Sequence, residues 1–265
     1  MNPPMRWILL AALSAGMPAF AQEPPKLLGD AFEKLVENQG HWSFRESESL
    51  QGLSRKARGE TILLVDPSKP YAEQYTPVQV EGRPPSAGEL SDFRELGLKV
   101  EKQRMREQRE SGSNPGGRLR IRINSQEVTP DIEHATVQAE DAEGVTFFVP
   151  LRTSAGGGSA FDTFRLTARV NRARREFEHA TIRQSHPMRV ALIFSVADAV
   201  IDLDLAPVDP KYPSVITRIE QTATVGLVFI RRPISFEMLR SGFRRVAPYD
   251  ERFGVKIGPL RTIDF

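Results

Sequence analysis

The chain contains the stretch Phe164-Arg165-Leu166-Thr167-Ala168-Arg169-Val170, in which apolar and polar side chains alternate without a break. Successive side chains of a β-strand point to opposite faces, so this stretch predicts a strand with one apolar face and one hydrated face. The same alternation runs through 145–151, 188–196, 201–205 and 225–229. Strands with one face in water are typical of antiparallel sheets, so a large antiparallel sheet is expected.

Short connections separate several of these strands. Residues 171–175, 184–187 and 206–213 contain turn-forming residues and are short enough to join neighbouring antiparallel strands. A curved, many-stranded sheet follows more naturally from this pattern than a two-layer parallel fold. The predicted class is therefore α+β and β-rich, with a half-barrel-like antiparallel sheet whose apolar face is covered by two or three helices.

The helices are predicted from side-chain spacing and capping signals. Apolar side chains recur at helical spacing over 27–36. A longer helix is predicted to begin at Ser86, because Ser86 and Glu89 stand at the spacing of a capping box. A third helix is predicted over 235–245 from the apolar residues spaced along it. Short strands are expected at 42–45, 61–65 and 73–80.

The first twenty-one residues indicate export. Met1–Arg6 carries one basic side chain, and the apolar run Trp7–Met17 is shorter than the roughly 20 residues that a membrane-spanning helix needs. Small residues at Ala19 and Ala21 precede Gln22, as at a signal-peptidase site. Residues 1–21 are therefore predicted to be a signal peptide cleaved after Ala21, and the protein is predicted to lie in the periplasm.

The remaining residues, 22–265, are predicted to form a single β-rich domain with a flexible loop at 111–117. The chain has no cysteine, which excludes disulfides, thiol catalysis and thiolate metal sites. Lys and Arg together number 36 and Asp and Glu 34, so no strong positive field favours nucleic acid as a partner.

Catalytic motifs are not apparent in the sequence. Ser159 follows three glycines but lacks the second glycine of a nucleophile elbow. The four histidines, at 41, 134, 179 and 186, do not have metal-binding spacing. Asp202 and Asp204 fit the alternation of a strand and need no catalytic explanation. We therefore expect no catalytic residue, no metal site and no cofactor.

The apolar faces of the strands are the best candidates for binding a ligand. They form the core by default, but they would line a pocket for a lipid or an acylated ligand if the helices left the concave side of the sheet unfilled. The predicted ligand-binding residues are Trp42, Phe44, Phe147, Phe164, Leu166, Leu192, Phe194, Leu227 and Phe229.

Basic residues are concentrated near the C-terminus and offer a second kind of surface. They are Arg231, Arg232, Arg240, Arg244, Arg245, Arg252 and Lys256, and they outnumber the acidic residues around them. Arg240, Arg244 and Arg245 are predicted to bind a partner, either an acidic protein or anionic lipid headgroups. A hydrated sheet face with cross-strand carboxylates is the alternative.

The order of these features resembles that of one known group of proteins. A signal peptide, no cysteine, the strand Trp42-Ser43-Phe44, a capped helix at Ser86 and a long run of antiparallel strands together resemble the periplasmic lipoprotein carrier and outer-membrane lipoprotein-sorting superfamily. The resemblance implies a curved half-barrel closed by helices, with an acyl-binding role for its inner apolar face.

The predicted function is therefore that of an exported, non-catalytic binding or carrier protein for a lipid-like or acylated ligand. Its expected partners are a lipid, an acylated protein or another envelope protein. The alternative is an envelope protein-protein interaction or sensing module without a small-molecule ligand.

Overall fold

A computed structural model describes residues 24–52, 59–113, 120–123, 126–153, 164–189, 194–227, 230–253 and 262–264. Two α-helices lie in these ranges, α1 at Pro24–Gln39 and α2 at Ala87–Ser113. Short 3-10 helices are present at Tyr71–Glu73, Ile132–His134 and Tyr249–Phe253. The predicted signal peptide lies outside the described residues. The predicted loop at 111–117 begins within α2, and 114–117 also lie outside the described residues.

Fifteen strands complete the secondary structure of the described ranges. They are β1 Trp42–Gln51, β2 Thr61–Val65, β3 Tyr75–Gln79, β4 Arg120–Ile123, β5 Gln126–Pro130, β6 Thr136–Glu140, β7 Gly144–Val149, β8 Leu151–Thr153, β9 Phe164–Asn171, β10 Glu176–Gln184, β11 Met188–Arg189, β12 Phe194–Ala206, β13 Val215–Leu227, β14 Ile230–Arg245 and β15 Thr262–Asp264.

Eleven of these strands form one large sheet. Its order is β3-β2-β1-β14-β13-β12-β10-β9-β7-β6, with β11 beside β12, and all of its pairs are antiparallel. The strands β3 and β6 are at the two edges, and the sheet is not closed into a barrel. A smaller sheet has the order β15-β4-β5-β8, in which β15 and β4 are parallel. The predicted β-rich fold with a large antiparallel sheet is thus confirmed.

Helix α1 packs on one face of the large sheet, which we call the inner face. Its buried side chains Leu27, Leu28, Ala31, Phe32 and Leu35 form one apolar cluster with residues of β7, β9, β10, β12 and β13. The Phe32 ring meets the Phe177 ring edge to face, with 4.7 Å between centroids. Burying side chains of this size contributes roughly 1.5–3 kcal/mol each, so the predicted amphipathic pattern of 27–36 accounts for the docking of α1.

Helix α2 begins where its capping box predicts. The Glu89 amide donates to Ser86 Oγ over 3.3 Å, and the Ser86 amide donates to Glu89 Oε2 over 2.7 Å. Arg83 donates to both oxygens of the same carboxylate, and these hydrogen bonds lower the pKa of Glu89 to about 2. The helix contacts β3 and the 3-10 helix Tyr71–Glu73, where Gly97 is buried.

The predicted helix over 235–245 is wrong, because these residues belong to β14. The strand pairs with β1 on one side and with β13 on the other, which supplies two ladders of hydrogen bonds in place of helical ones. Gly242 takes a φ of 63° at the point where the pairing with β1 shifts register. Pairing with distant strands therefore outweighs local helical spacing here.

Candidate functional site

Seven of the nine predicted ligand-binding residues lie in the described ranges, and these seven do not meet at one place. Phe147, Phe164 and Leu166 are buried in the cluster beneath α1, with exposed fractions of 0, 8 and 3%. They are core residues at this end of the sheet. Phe194 and Leu227 are paired with each other at the far ends of β12 and β13. Leu192 and Phe229 lie outside the described residues.

Trp42 belongs to a cluster of aromatic rings and a guanidinium where β1 meets β14. Its ring packs edge to face against Tyr212 and Phe243, with centroids 5.7 and 6.2 Å away. The Arg245 guanidinium lies 5.2 Å from the Trp42 centroid and 4.3 Å from that of Tyr212. Its Nη1 also donates to Asn38 Oδ1 over 2.5 Å, and burial lowers the pKa of this guanidinium. Arg245 therefore joins α1 to the sheet.

Arg240 is likewise engaged within the protein. Its guanidinium lies 4.7 Å from the centroid of Phe44, and its Nε donates to Glu46 Oε2 over 2.8 Å. The side chains of Arg240 and Glu46 are 18 and 8% exposed. Of the three predicted partner-binding arginines, Arg244 extends furthest into solvent: its side chain is 70% exposed, and it reaches Asp66 over 3.3 Å.

Glu48 places a second carboxyl group beside this ion pair. Glu46 and Glu48 are two positions apart on β1 and so share a face of the strand. Burial, followed by the charge of Glu46 and a hydrogen bond to it, raises the pKa of Glu48 to about 7, and the positive charge of Arg240 opposes the shift. In the sequence, Glu46 and Glu48 alternate with serines shortly after Phe44. This pattern could have indicated the carboxyl pair, and the sequence predictions did not include it.

A row of apolar side chains continues along the inner face beyond α1. Met238 packs against the buried cluster, and Phe236 and Ile234 precede it by two and four residues on β14, so they face the same side. The register carries this face onto β13 and β12. These side chains are half-buried. We call the row of Val196, Ala223, Val225, Ile234 and Phe236 the uncovered strip.

The opposite, outer face carries a hydrogen-bonded network around His179. Its Nδ1 lies 2.9 Å from Asp204 Oδ1, and its Nε2 lies 3.0 Å from Thr181 Oγ1. The Thr181 hydroxyl donates to Asp202 Oδ1 over 2.6 Å. Hydroxyl, imidazole and carboxylate are thus in the order of a catalytic triad, which the sequence spacing did not reveal.

This network lacks the surroundings that acyl transfer needs. The hydroxyl proton of Thr181 is directed to Asp202 rather than to the imidazole. Strand β10 is paired on both sides, by β9 and β12, so the backbone amides around Thr181 serve the sheet and not an oxyanion. The side chains of His179 and Asp204 are also 45 and 48% exposed to solvent. The geometry is that of a hydrated cross-strand network.

One group of described residues has the donors to bind a metal ion, namely Asp131, Glu133 and His134. The carboxylate of Asp131 already accepts from Arg152 over 2.5 Å and lies 3.0 Å from His134. A cation would have to displace the Arg152 guanidinium from this carboxylate. The arrangement favours an ion-pair role over metal binding.

Comparison of the chain with protein-family models, with curated proteins and with solved structures gives no match. Among the described residues, neither helix combines the length and apolar character needed to cross a bilayer. Interpretation of the function therefore depends on the inner face itself.

Proposed function

We propose that the protein is an exported periplasmic carrier that binds a lipid-like or acylated ligand along the uncovered strip and catalyses no reaction. The observation that carries this proposal is the contrast along β13, where Ile216 and Ile219 are buried near α1 while Ala223 and Val225 are half-exposed. Apolar surface left half-exposed beside a complete core is a feature of binding sites.

The strip has the chemistry expected for an acyl chain. Each methylene moved from water onto an apolar surface contributes roughly 0.8 kcal/mol, so a chain lying along several of these side chains binds without any catalytic group. Glu48 lies opposite Met238 in the register of β1 and β14, one residue pair from the Phe236 end of the strip, and supplies a polar contact for a headgroup. In this proposal the sheet curves as a half-barrel around the ligand, and the helices close it incompletely.

Native mass spectrometry of protein purified from the periplasm, with lipid extraction, tests this function. The wild-type chain is expected to carry a lipid-like molecule, and Ile234→Asp to lose it because a carboxylate enters the strip. Leu64→Asp is the matched control, since Leu64 is 45% exposed and its register places it on the outer face. Recovery of no ligand from wild type, or equal loss from both variants, would contradict the proposal.

An interaction module without a small ligand is the second candidate, and edge strand β6 favours it. All five of its residues are exposed, and among the strands that the structure describes it pairs only with β7, so its outer edge presents backbone groups to a partner strand. A photocrosslinker at Val137, which is 41% exposed, is expected to capture one specific envelope protein. Capture that Gln138→Pro leaves unchanged would exclude this edge.

A further inference from the structure

The large sheet has a projecting end that lies far from α1. The last residue of β13 in the buried cluster is Ile219, and β13 continues to Leu227, roughly 27 Å further at the rise of an extended strand. At that end Leu227 is paired with Phe194 on β12 and with Ile230 on β14. We call the described residues 188–189, 194–197, 223–227 and 230–236 the strand tip.

The strand tip combines apolar residues with unopposed positive charge. It contains Arg189, Arg231 and Arg232 and no acidic residue. Arg231 and Arg232 are both exposed, and as successive residues of one strand they point to opposite faces. Arg232 lies opposite Val225 on the inner face, in line with the apolar side chains, and Arg231 lies on the outer face, so each face of this end carries a cation.

Some arginines elsewhere on the sheet form ion pairs with carboxylates. Arg218, for example, contacts Glu220 and Glu237 over 2.7 and 2.9 Å. Within the described part of the chain, Arg231 and Arg232 form no ion pair. Their charge is therefore available to a partner, which has to be anionic.

We propose that the strand tip docks on the surface of a bilayer that contains anionic lipids. Guanidinium groups bind lipid phosphates, and apolar side chains between them enter the interface, the combination that holds peripheral proteins at membranes. The five residues of the uncovered strip all belong to the strand tip, so the half-buried Val196, Val225 and Ile234 are part of the surface that docks. The docking goes beyond the proposed carrier function, because it requires no bound ligand.

Vesicle flotation of the mature chain tests the docking. The protein is expected to float with vesicles that contain phosphatidylglycerol and phosphatidylcholine. It should not float with vesicles of phosphatidylcholine alone, and high salt should release it from the anionic vesicles. Arg231→Glu/Arg232→Glu should weaken binding at least about tenfold. Lys99→Glu/Lys102→Glu makes the same charge change on exposed residues of α2 and should bind like wild type.

Three results would overturn the docking: no binding to the anionic vesicles, unchanged binding of the tip variant, or equal loss in the α2 control. Crosslinking of a photoreactive residue at position 232 to an acidic protein, without vesicle binding, would assign the tip to that protein instead. Circular dichroism of both variants checks that they are folded. Because lipid extraction measures the bound ligand and flotation the docking, either can fail while the other holds.

Discussion

Arg240, which the sequence predicts to bind a partner, contacts two residues of β1 within the fold. It neutralises Glu46, which is 8% exposed on its side chain, and covers Phe44. A buried carboxylate without its counter-ion is far more costly than the intact pair is favourable. The contribution of Arg240 to stability is therefore best measured by replacing it, which leaves the Glu46 carboxylate without its counter-ion.

Arg240→Met is expected to lower the free energy of unfolding by about 3 kcal/mol, since it leaves Glu46 uncompensated. Urea denaturation measures this loss. The double variant Glu46→Leu/Arg240→Met should recover most of it, because no charge is then left unpaired. If Arg240→Met unfolds like wild type, the ion pair has no structural role and a partner-binding role for Arg240 gains support.

Glu48 predicts a pH dependence of stability. Its pKa is raised from 4.5 to about 7, so between these values the folded protein holds a proton that the unfolded chain has released. The free energy of unfolding therefore falls as the pH rises through this window. Glu48→Gln should remove about 1–2 kcal/mol of this fall, allowing for screening by solvent.

Urea titrations across this pH range check the prediction for Glu48. Glu33→Gln is the matched control, because Glu33 is an exposed carboxyl on α1. Its profile should follow that of wild type. Parallel profiles for wild type and Glu48→Gln would show that Glu48 does not retain the proton.

Among the elements, α2 depends on one glycine for its contact with the rest of the protein. A Cβ at Gly97 would overlap the carbonyl oxygen of Tyr71, which is backbone and cannot turn aside. Gly97→Ala should destabilise the protein by roughly 1–3 kcal/mol and increase hydrogen exchange in α2. Gly88→Ala, where a Cβ meets only Ser86 Oγ at 4.0 Å, should be neutral or stabilising by up to about 1 kcal/mol. Equal behaviour of the two variants would mean that α2 does not rest on Tyr71.

Local signals predicted the elements that depend on local contacts. The alternation at 164–170 correctly predicted β9, and the capping box at Ser86 correctly predicted the start of α2. Both features depend only on residues a few positions apart in the sequence. The segment 235–245 has apolar residues at spacings that fit a helix. One of its two partner strands, β1, is distant in the sequence, so the local pattern does not show that pairing on both sides holds this segment as a strand.

The candidate site also depends on pairing between strands that are distant in the sequence. Phe44, Glu46 and Glu48 come from β1, while Arg240 comes from β14, and only the register between these strands brings them together. The sequence predicted that Trp42 and Phe44 bind a ligand and that Arg240 and Arg245 bind a partner. In the structure, each arginine lies over one of the two aromatic rings, Arg240 over Phe44 and Arg245 over Trp42. The residues of each pair are distant in the sequence, so local patterns could not predict these contacts.

For the whole molecule, removal of the predicted signal peptide should leave the described fold unchanged. Helix α1 begins at Pro24, just after the Gln22 that would become the N-terminus. Mass spectrometry of the periplasmic protein should therefore find a chain that starts at Gln22. A recombinant chain of residues 22–265 should melt at the same temperature as the processed protein. A full-length species that sediments with membranes would contradict cleavage.

The pairing of β1 with β14 has a consequence for how the molecule assembles. Hairpins such as β9–β10 and β13–β14 join neighbouring segments and close small loops, so they can form early. Among the described strands, β1–β3 join the rest of the sheet only through β14, so Trp42 can meet Arg245 only after β14 has been synthesised. Because the N-terminus leaves the ribosome first, β1 has to stay without its β14 partner while residues 52–229 are made, and its unpaired edge is exposed to wrong partners during that time.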